Sequence, residues 1–340
     1  MAQSAPETLG PLSEEAIPED PNSSKAKEIT GKSPLQIAFG RLRRDKIAVV
    51  CATVVFLFIL IATFAGPICA IFNVNTDTVL ASTRINILGG GLPKPEFGPP
   101  VGPFTWAHPF GVAPNNGDDN LAYFVYGART SLTISTVATI VAAFLGISLG
   151  LVAGFLGGIV DRIISFFVDL FLTIPFLLAA LSIAPILSQR FATSPNYSKI
   201  QFIDLICVLA FFGWMGLARL IRGEVLSLRE REFVQAARVL GMPTSRILLK
   251  ELLPNLVAPI VVAISLLLPA FVTAEAGLAY LGIGVTEVPS WGHTILLGVP
   301  FFETYPLYLY EPLIGIVALV LALNLLGDAI RDALDPKTRR

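Results

Sequence analysis

Few residues in this chain have the type and spacing that chemistry requires. Its 340 residues include two histidines, His108 and His293, far apart in sequence, and three cysteines, Cys51, Cys69 and Cys207. The cysteines lie in or beside apolar runs without CxxC spacing, so they read as small packing residues rather than metal or redox ligands. No HExxH or GxSxG occurs, which leaves an intramembrane hydrolase without a nucleophile–base or metal set. Gly31-Lys32-Ser33 copies the end of a phosphate-binding loop, but the first glycine of that motif would have to be residue 26, which is Ala26. The expectation is a chain with no catalytic, cofactor or metal residues, in which any ATP is hydrolysed by a partner.

Two acids and one polar stretch remain. Asp169 and Glu275 interrupt long apolar runs. A charge at a bilayer centre costs at least about 2.5 kcal/mol, so such a group faces a cavity or a partner. Either acid can border a translocation path, or instead sit in a structural ion pair or near the watery outer interface, and for Asp169 the structural reading is the better fit. The polar stretch, "EFVQAARVLGMPTSRILLKELLPN", covers residues 232–255. Within it Phe233, Ala236, Ala237 and Leu240 sit at i, i+3, i+4 and i+7, one face of a helix. Arg231, Glu232, Gln235 and Arg238 fall away from that face. Gly241 stands where a left-handed cap is expected, and Pro243 prevents continuation. A second short helix is expected from Thr244 or Ser245 toward Leu253-Pro254-Asn255. The apolar stripe is too small to anchor in lipid. It can pack on its own protein or lie in a groove of another.

The elements that must position these residues are membrane helices. Hydrophobic residues make up 54% of the chain and charged residues only 14%, with mean hydropathy +0.71, where a soluble domain carries about a quarter charged residues. Uncharged runs of spanning length predict an all-α protein with six transmembrane helices. They cover residues 47–72, 130–160, 163–187 (interrupted by Asp169), 205–217, 252–274 (continuing past Glu275 toward 283) and 312–327. With the N-terminus inside, the outer segments hold only Arg84, Lys94, Arg129, Arg190 and Lys199 of the 24 lysines and arginines. Positive residues favour the cytoplasm, so both termini are expected there. The net charge of −1 gives no reason to expect nucleic acid as a partner.

This reading divides the chain into a disordered cytoplasmic tail over 1–40 and a first span with a basic anchor over 41–72. A Gly/Pro-rich extracytoplasmic insert over 73–126 follows, then a core over 127–330 with five spans and a cytoplasmic loop at 219–255. A tail over 331–340 closes the chain. A short amphipathic exit helix is expected over 327–336. Gly146, Gly150, Gly154 and Gly158 recur every four residues, a spacing that lets helices approach closely, within this chain or against a second one. Trp291, Phe301, Phe302, Tyr305, Tyr308 and Tyr310 are expected to form an aromatic belt at the outer interface.

The spacing Gln235-Ala236-Ala237, Gly241, Leu253-Pro254 resembles the "EAA" loop of ABC importer permeases, E-A-A-x3-G-x9-I-x-L-P. Gln235 replaces the usual Glu, and Glu251 takes the Ile position. The blocks "HPFGV…NGDD", "VDLFLTIPFLLAA", "AEAGLAYLGIGV…PSWG" and "NLLGDAIRDALDP" are similar to the C-type permease subunit of dipeptide, oligopeptide and nickel importers. Together they cover most of residues 35–336. In the first block Val112-Ala113 and Asp118 depart from the family's HPLGTDxxGRD, with one residue added.

The resemblance implies a type I importer permease half in a bacterial or archaeal cell membrane. Its partners would be a second, homologous permease subunit, two ATPase subunits carrying ATP and Mg, an extracytoplasmic substrate-binding protein and the lipid bilayer. It makes Glu232, Phe233, Gln235, Ala236, Ala237, Leu240, Gly241, Leu253 and Pro254 the coupling segment that docks on an ATPase. Glu275 could then border the path and meet a peptide amino group. The implied substrates are peptides, with nickel or another small solute as the alternative. A rival of a different class is a proton-coupled secondary transporter using Asp169 and Glu275 as its relay.

Overall fold

The computed structural model describes residues 34–76 and 81–335. The elements in chain order begin with α1 (Pro34–Leu42), α2 (Lys46–Thr63), α3 (Ala65–Phe72) and α4 (Ala81–Arg84). A small hairpin of β1 (Ile85–Asn86) and β2 (Leu92–Pro93) pairs Ile85 with Pro93 antiparallel. Then come α5 (Asn120–Leu156), α6 (Gly158–Leu172), α7 (Phe176–Arg190), α8 (Tyr197–Leu228), α9 (Glu232–Val239) and α10 (Thr244–Arg246). A π-turn over Ile247–Leu252 leads to α11 (Leu253–Asn255), α12 (Val257–Tyr280), α13 (Trp291–Gly298) and α14 (Leu307–Leu334).

Five helices are long and apolar enough to cross a bilayer: α2, α5, α8, α12 and α14. The expected third span differs. It is a pair, α6 and α7, bent by 88°, because Pro175 cannot donate to a helix and drives Ile174 out of the helical region. Each half has 15 residues, about 22 Å of helix, short of a hydrocarbon core of about 30 Å. Among the described residues there are therefore five helices of spanning length, or six spans with the bent pair counted as one. The first span also breaks, at Phe64, between α2 and α3.

The α5–α8 packing is built on glycine. A Cβ at Gly146 would stand 2.8 Å from the Trp214 carbonyl oxygen, one at Gly150 2.7 Å from that of Ala218, and one at Gly154 2.8 Å from Val225 Cβ. The stripe is thus spent inside this chain. Gly158 does not join it. With φ +59° and nothing within 4 Å of a Cβ, it serves the turn into α6. Around this pair, α12 lies against α5 and α14, and α2 packs on α14 and α5. Apolar side chains such as Leu132, Val272, Leu319 and Leu323 fill the joints.

Residues 1–33 of the expected tail lie outside the described residues, as do 336–340. Residues 34–40, placed in that tail by composition, are helical in α1. The Arg41 guanidinium donates to the carbonyl oxygens of Ala333 (3.3 Å) and Asp335 (3.4 Å), where a helix C-terminus welcomes a cation. α1 and the end of α14 therefore lie at one end of the bundle. The expected exit segment is helical through Leu334 but is the continuation of α14 and not an element of its own.

The insert ends at Asp119 rather than 126. Asp119 caps α5, accepting from Ala122 N (3.1 Å), and its second oxygen is 2.6 Å from His108 Nδ1. Burial raises the carboxyl of the neighbouring Asp118 above the usual range. Tyr305 donates its hydroxyl to Pro99 O (2.9 Å), pinning the insert to the segment before α14, and burial pushes that phenol up. The aromatic belt is accordingly only partial. Trp291, Tyr305 and Tyr308 are fully buried, while Phe302 and Tyr310 are exposed. Trp291 donates from Nε1 to Phe124 O (2.9 Å) and packs against the rings of Phe58 and Phe124.

Candidate functional site

α5 and α8 have 37 and 32 residues, about 55 and 48 Å of helix against a hydrocarbon core of about 30 Å. The excess carries the segment after α8 beyond the apolar layer. An ion-pair ladder accompanies this end. Arg222 holds Asp161 through both carboxylate oxygens, with Nη2 at 2.8 Å from Oδ2. Farther along, Arg229 donates from Nη1 to Gly154 O (3.1 Å) and from Nε to Glu230 (3.0 Å).

α9 is tied to this frame at both ends. The Gln235 amide donates from Nε2 to Arg229 O (3.0 Å), which a glutamate at that position could not do when ionised. At the other end Met242 N bonds Ala237 O and Gly241 N bonds Arg238 O, each at 3.0 Å. Gly241 has φ +71°. This paired pattern with a left-handed residue is the Schellman cap, as Gly241 and Pro243 led one to expect. Beyond α10, the π-turn leads through Leu253 and Pro254 to a break at Leu256, where α12 begins. Leu253 is half-buried and Pro254 exposed.

Spacing placed Phe233, Ala236, Ala237 and Leu240 on one docking face. The structure divides them. Val234 and Ala237 turn inward and are buried with Phe155, Val225, Ile247 and Leu252. The Arg238 guanidinium lies 4.6 Å over the Phe155 ring. Phe233, Ala236, Val239 and Leu240 face outward, the last two 88% and 82% exposed. Glu232 is also exposed, in the first turn where the helix dipole favours an anion. Ala237 is therefore a packing residue of this chain, and Val239 joins the outer face. The apolar arc is wide enough for two faces: one holds α9 to its own bundle, and the other is bare.

The two acids do not meet. Asp169 pairs with Arg219 at 2.5 Å on the outside of α6 and α8, with both side chains more than half exposed. Glu275 is fully buried; Ser131 on α5 is its polar neighbour, but neither carboxylate oxygen makes a hydrogen bond. Neither acid lines the large groove described next. Replacing Glu275 by methionine removes a buried carboxylate that has Ser131 as its polar neighbour and keeps the volume. Glu275→Met is expected to leave transport intact and the thermal midpoint in detergent unchanged or raised. A fall of several degrees would show that the carboxylate has a partner in the working assembly.

A feature unanticipated from sequence is a groove of about 690 Å³ between α8 and α12. Gly213, Gly216 and Leu220 form one wall, Val262, Leu266 and Ala270 the other, and Glu224 and Arg331 stand at the end near the termini. No Cβ at Gly216 would meet an atom within 4 Å. Its signal in the sequence was small residues on α8, which hydropathy reads only as apolar.

Residues 146–340, more than half of the chain, match the family described as "Binding-protein-dependent transport system inner membrane component". The chain belongs to that family. Residues 33–84 match the "N-terminal TM domain of oligopeptide transport permease C". Similar curated proteins include the oligopeptide transport system permease protein OppC of Bacillus subtilis, 32% identical over 94% of this chain and 95% of its own. The dipeptide transport system permease protein DppC of Alkalihalophilus pseudofirmus is 34% identical over 94% of this chain and 96% of its own. A chain from inward-facing MetNI methionine ABC transporter structures overlaps 63% of this chain and 96% of its own, at 22% identity and TM-score 0.49. This family member is thus a multi-pass membrane permease.

Proposed function

We propose that this permease is half of the translocation pathway of an ATP-driven peptide importer, with α9 as its coupling helix. The observation that carries the reading is the bare outer face of α9, Phe233, Ala236, Val239 and Leu240, on a short polar-flanked helix between the long apolar helices α8 and α12. A soluble protein leaves contiguous apolar surface of this kind for a partner. Peptide as substrate draws support from the oligopeptide and dipeptide permeases named among its relatives.

The working assembly would contain a second permease, two ATPase subunits holding ATP and Mg, and an extracytoplasmic binding protein. Both termini would be cytoplasmic, supported by the joining of α1 to the end of α14 and by the asymmetry of lysine and arginine. When nucleotide closes the ATPase pair, displacement of α9 reaches α8 through Arg229 and Gln235, and α5 through Gly154 and Phe155. The same cluster includes Ile247, Leu252 and Leu256 at the start of α12. The α8–α12 groove therefore moves with α9, and it forms this chain's wall of the path. Nucleotide shifts the equilibrium only by its preference for the closed pair.

Purification of the chain from its native membrane in mild detergent is expected to bring down ATPase chains and a second permease in fixed stoichiometry. Peptide transport retained by the chain purified alone would refute the reading.

A further inference from the structure

At the opposite end from α9, the chain carries a second cavity, of about 700 Å³, between the starts of α5 and α8 and the loop that follows α12. This is within the volume range of small-molecule sites. Three charged residues line it: Arg129 on α5, Lys199 on α8 and Glu287 in the loop. All three are exposed, and no ion pair joins them among the described residues. Two cations and one anion thus share a cavity without neutralising one another.

The walls are fixed. The Thr286 backbone N–H and hydroxyl both donate to Gln201 Oε1, each at 3.2 Å. That clamp ties the residue before Glu287 to α8, two positions from Lys199. Thr130 and Thr133 add hydroxyls to the lining, and Phe202 and Val288 add apolar surface. Opposite charges that line one cavity without pairing fit a ligand that carries both charges at its own ends.

We infer that this cavity receives a short peptide by its two free termini, with the carboxylate on Arg129 and Lys199 and the ammonium on Glu287. The inference rests on the importer reading above and adds to it the chemistry by which substrate is accepted at the outer mouth. The Thr130 hydroxyl, and the Thr133 oxygen as an acceptor, since its proton goes to Arg129 O (2.6 Å), can bond the peptide's backbone, which leaves its side chains unread.

The test uses the whole importer in proteoliposomes with its binding protein. Trialanine, its C-terminal amide and its N-acetyl form are each supplied at concentrations that saturate the binding protein. Arg129→Gln/Lys199→Gln is expected to reduce the preference for trialanine over the amide about ten-fold, leaving the preference over the acetyl form unchanged. Glu287→Gln is expected to do the reverse. These residues are exposed, so the variants should fold as the wild type does. That crossed pattern follows from charge at each end of the ligand and not from a general defect. Equal losses for all three probes, together with weaker docking of the unloaded binding protein, would overturn the site and make this surface a protein contact. Preferences unchanged in both variants would overturn it as well. A wild-type importer that carries none of the three peptides would instead defeat the peptide reading on which the site depends.

Discussion

Leu240→Asp is expected to abolish substrate-stimulated ATP hydrolysis by the assembled importer, while the chain still inserts and keeps its thermal midpoint. Leu240 is 82% exposed, so the substitution disturbs nothing in this chain, and surface changes of that kind stay within about 0.5 kcal/mol. In the proposed assembly the same position lies on the apolar face assigned to the ATPase contact. An unpaired carboxylate buried there costs about 3 kcal/mol or more, a loss of docking affinity above about a hundred-fold. Phe233→Asp, on the same face, should act alike. Ala237→Asp should not. Ala237 is 5% exposed and packs with Val225 and Ile247, so a carboxylate there undoes α9 itself and is expected to lower the amount of folded chain. Measured ATPase stimulation and thermal midpoint together separate the two failures. Wild-type stimulation in both Leu240→Asp and Phe233→Asp would remove α9 from the coupling path.

The second large effect is expected from Gly150→Leu. A Cβ at this position already falls 2.7 Å from the Ala218 carbonyl oxygen and 2.9 Å from Ile221 Cβ. No rotamer relieves a contact with backbone, so α5 and α8 must separate along a seam that also holds Gly146 and Gly154. Overpacking of this kind costs about 3 kcal/mol or more, a large share of a typical domain's stability. The chain is expected to fail to accumulate in the membrane. Gly216→Ala, at a position with open space on the same α8, is expected to accumulate normally. Equal accumulation of both variants would mean that the seam does not hold the bundle together.

How much of this was legible in the sequence depended on whether the signal was local. The membrane class follows from uncharged runs, because backbone burial in lipid demands long apolar helices whatever the neighbours. The cap at Gly241 was legible for the same reason: a positive φ followed by Pro243 is a property of a few consecutive residues. The break at Pro175 sits in plain view, yet hydropathy averages across it and returns one span. The division of α9 into two faces was not legible. Its apolar arc includes Phe233, Val234, Ala236, Ala237, Val239 and Leu240, and only the positions of Phe155 and Val225, dozens of residues away or on another helix, decide which side turns inward.

The acids and aromatics show the same limit. Asp169 could be read as a pair because charge in an apolar run needs one, although its partner Arg219 is 50 positions away. Glu275 looked like a path residue by the same rule, and the structure seals it beside Ser131. Tyr305 and Trp291 were assigned to an interface by composition. Their partners, Pro99 O and Phe124 O, lie 206 and 167 positions away, beyond the reach of any local pattern. The fold class and the short capped helix α9 were therefore readable, and the orientation of single side chains was not.

The most direct test of the importer reading is uptake of labelled dipeptides and longer peptides by cells stripped of other peptide importers, with and without this chain. Loss of uptake of at least one peptide class on deletion, restored by the intact gene and not by the Leu240→Asp form, is the expected result. Uptake that is the same for every peptide length in the presence and absence of the chain would contradict it.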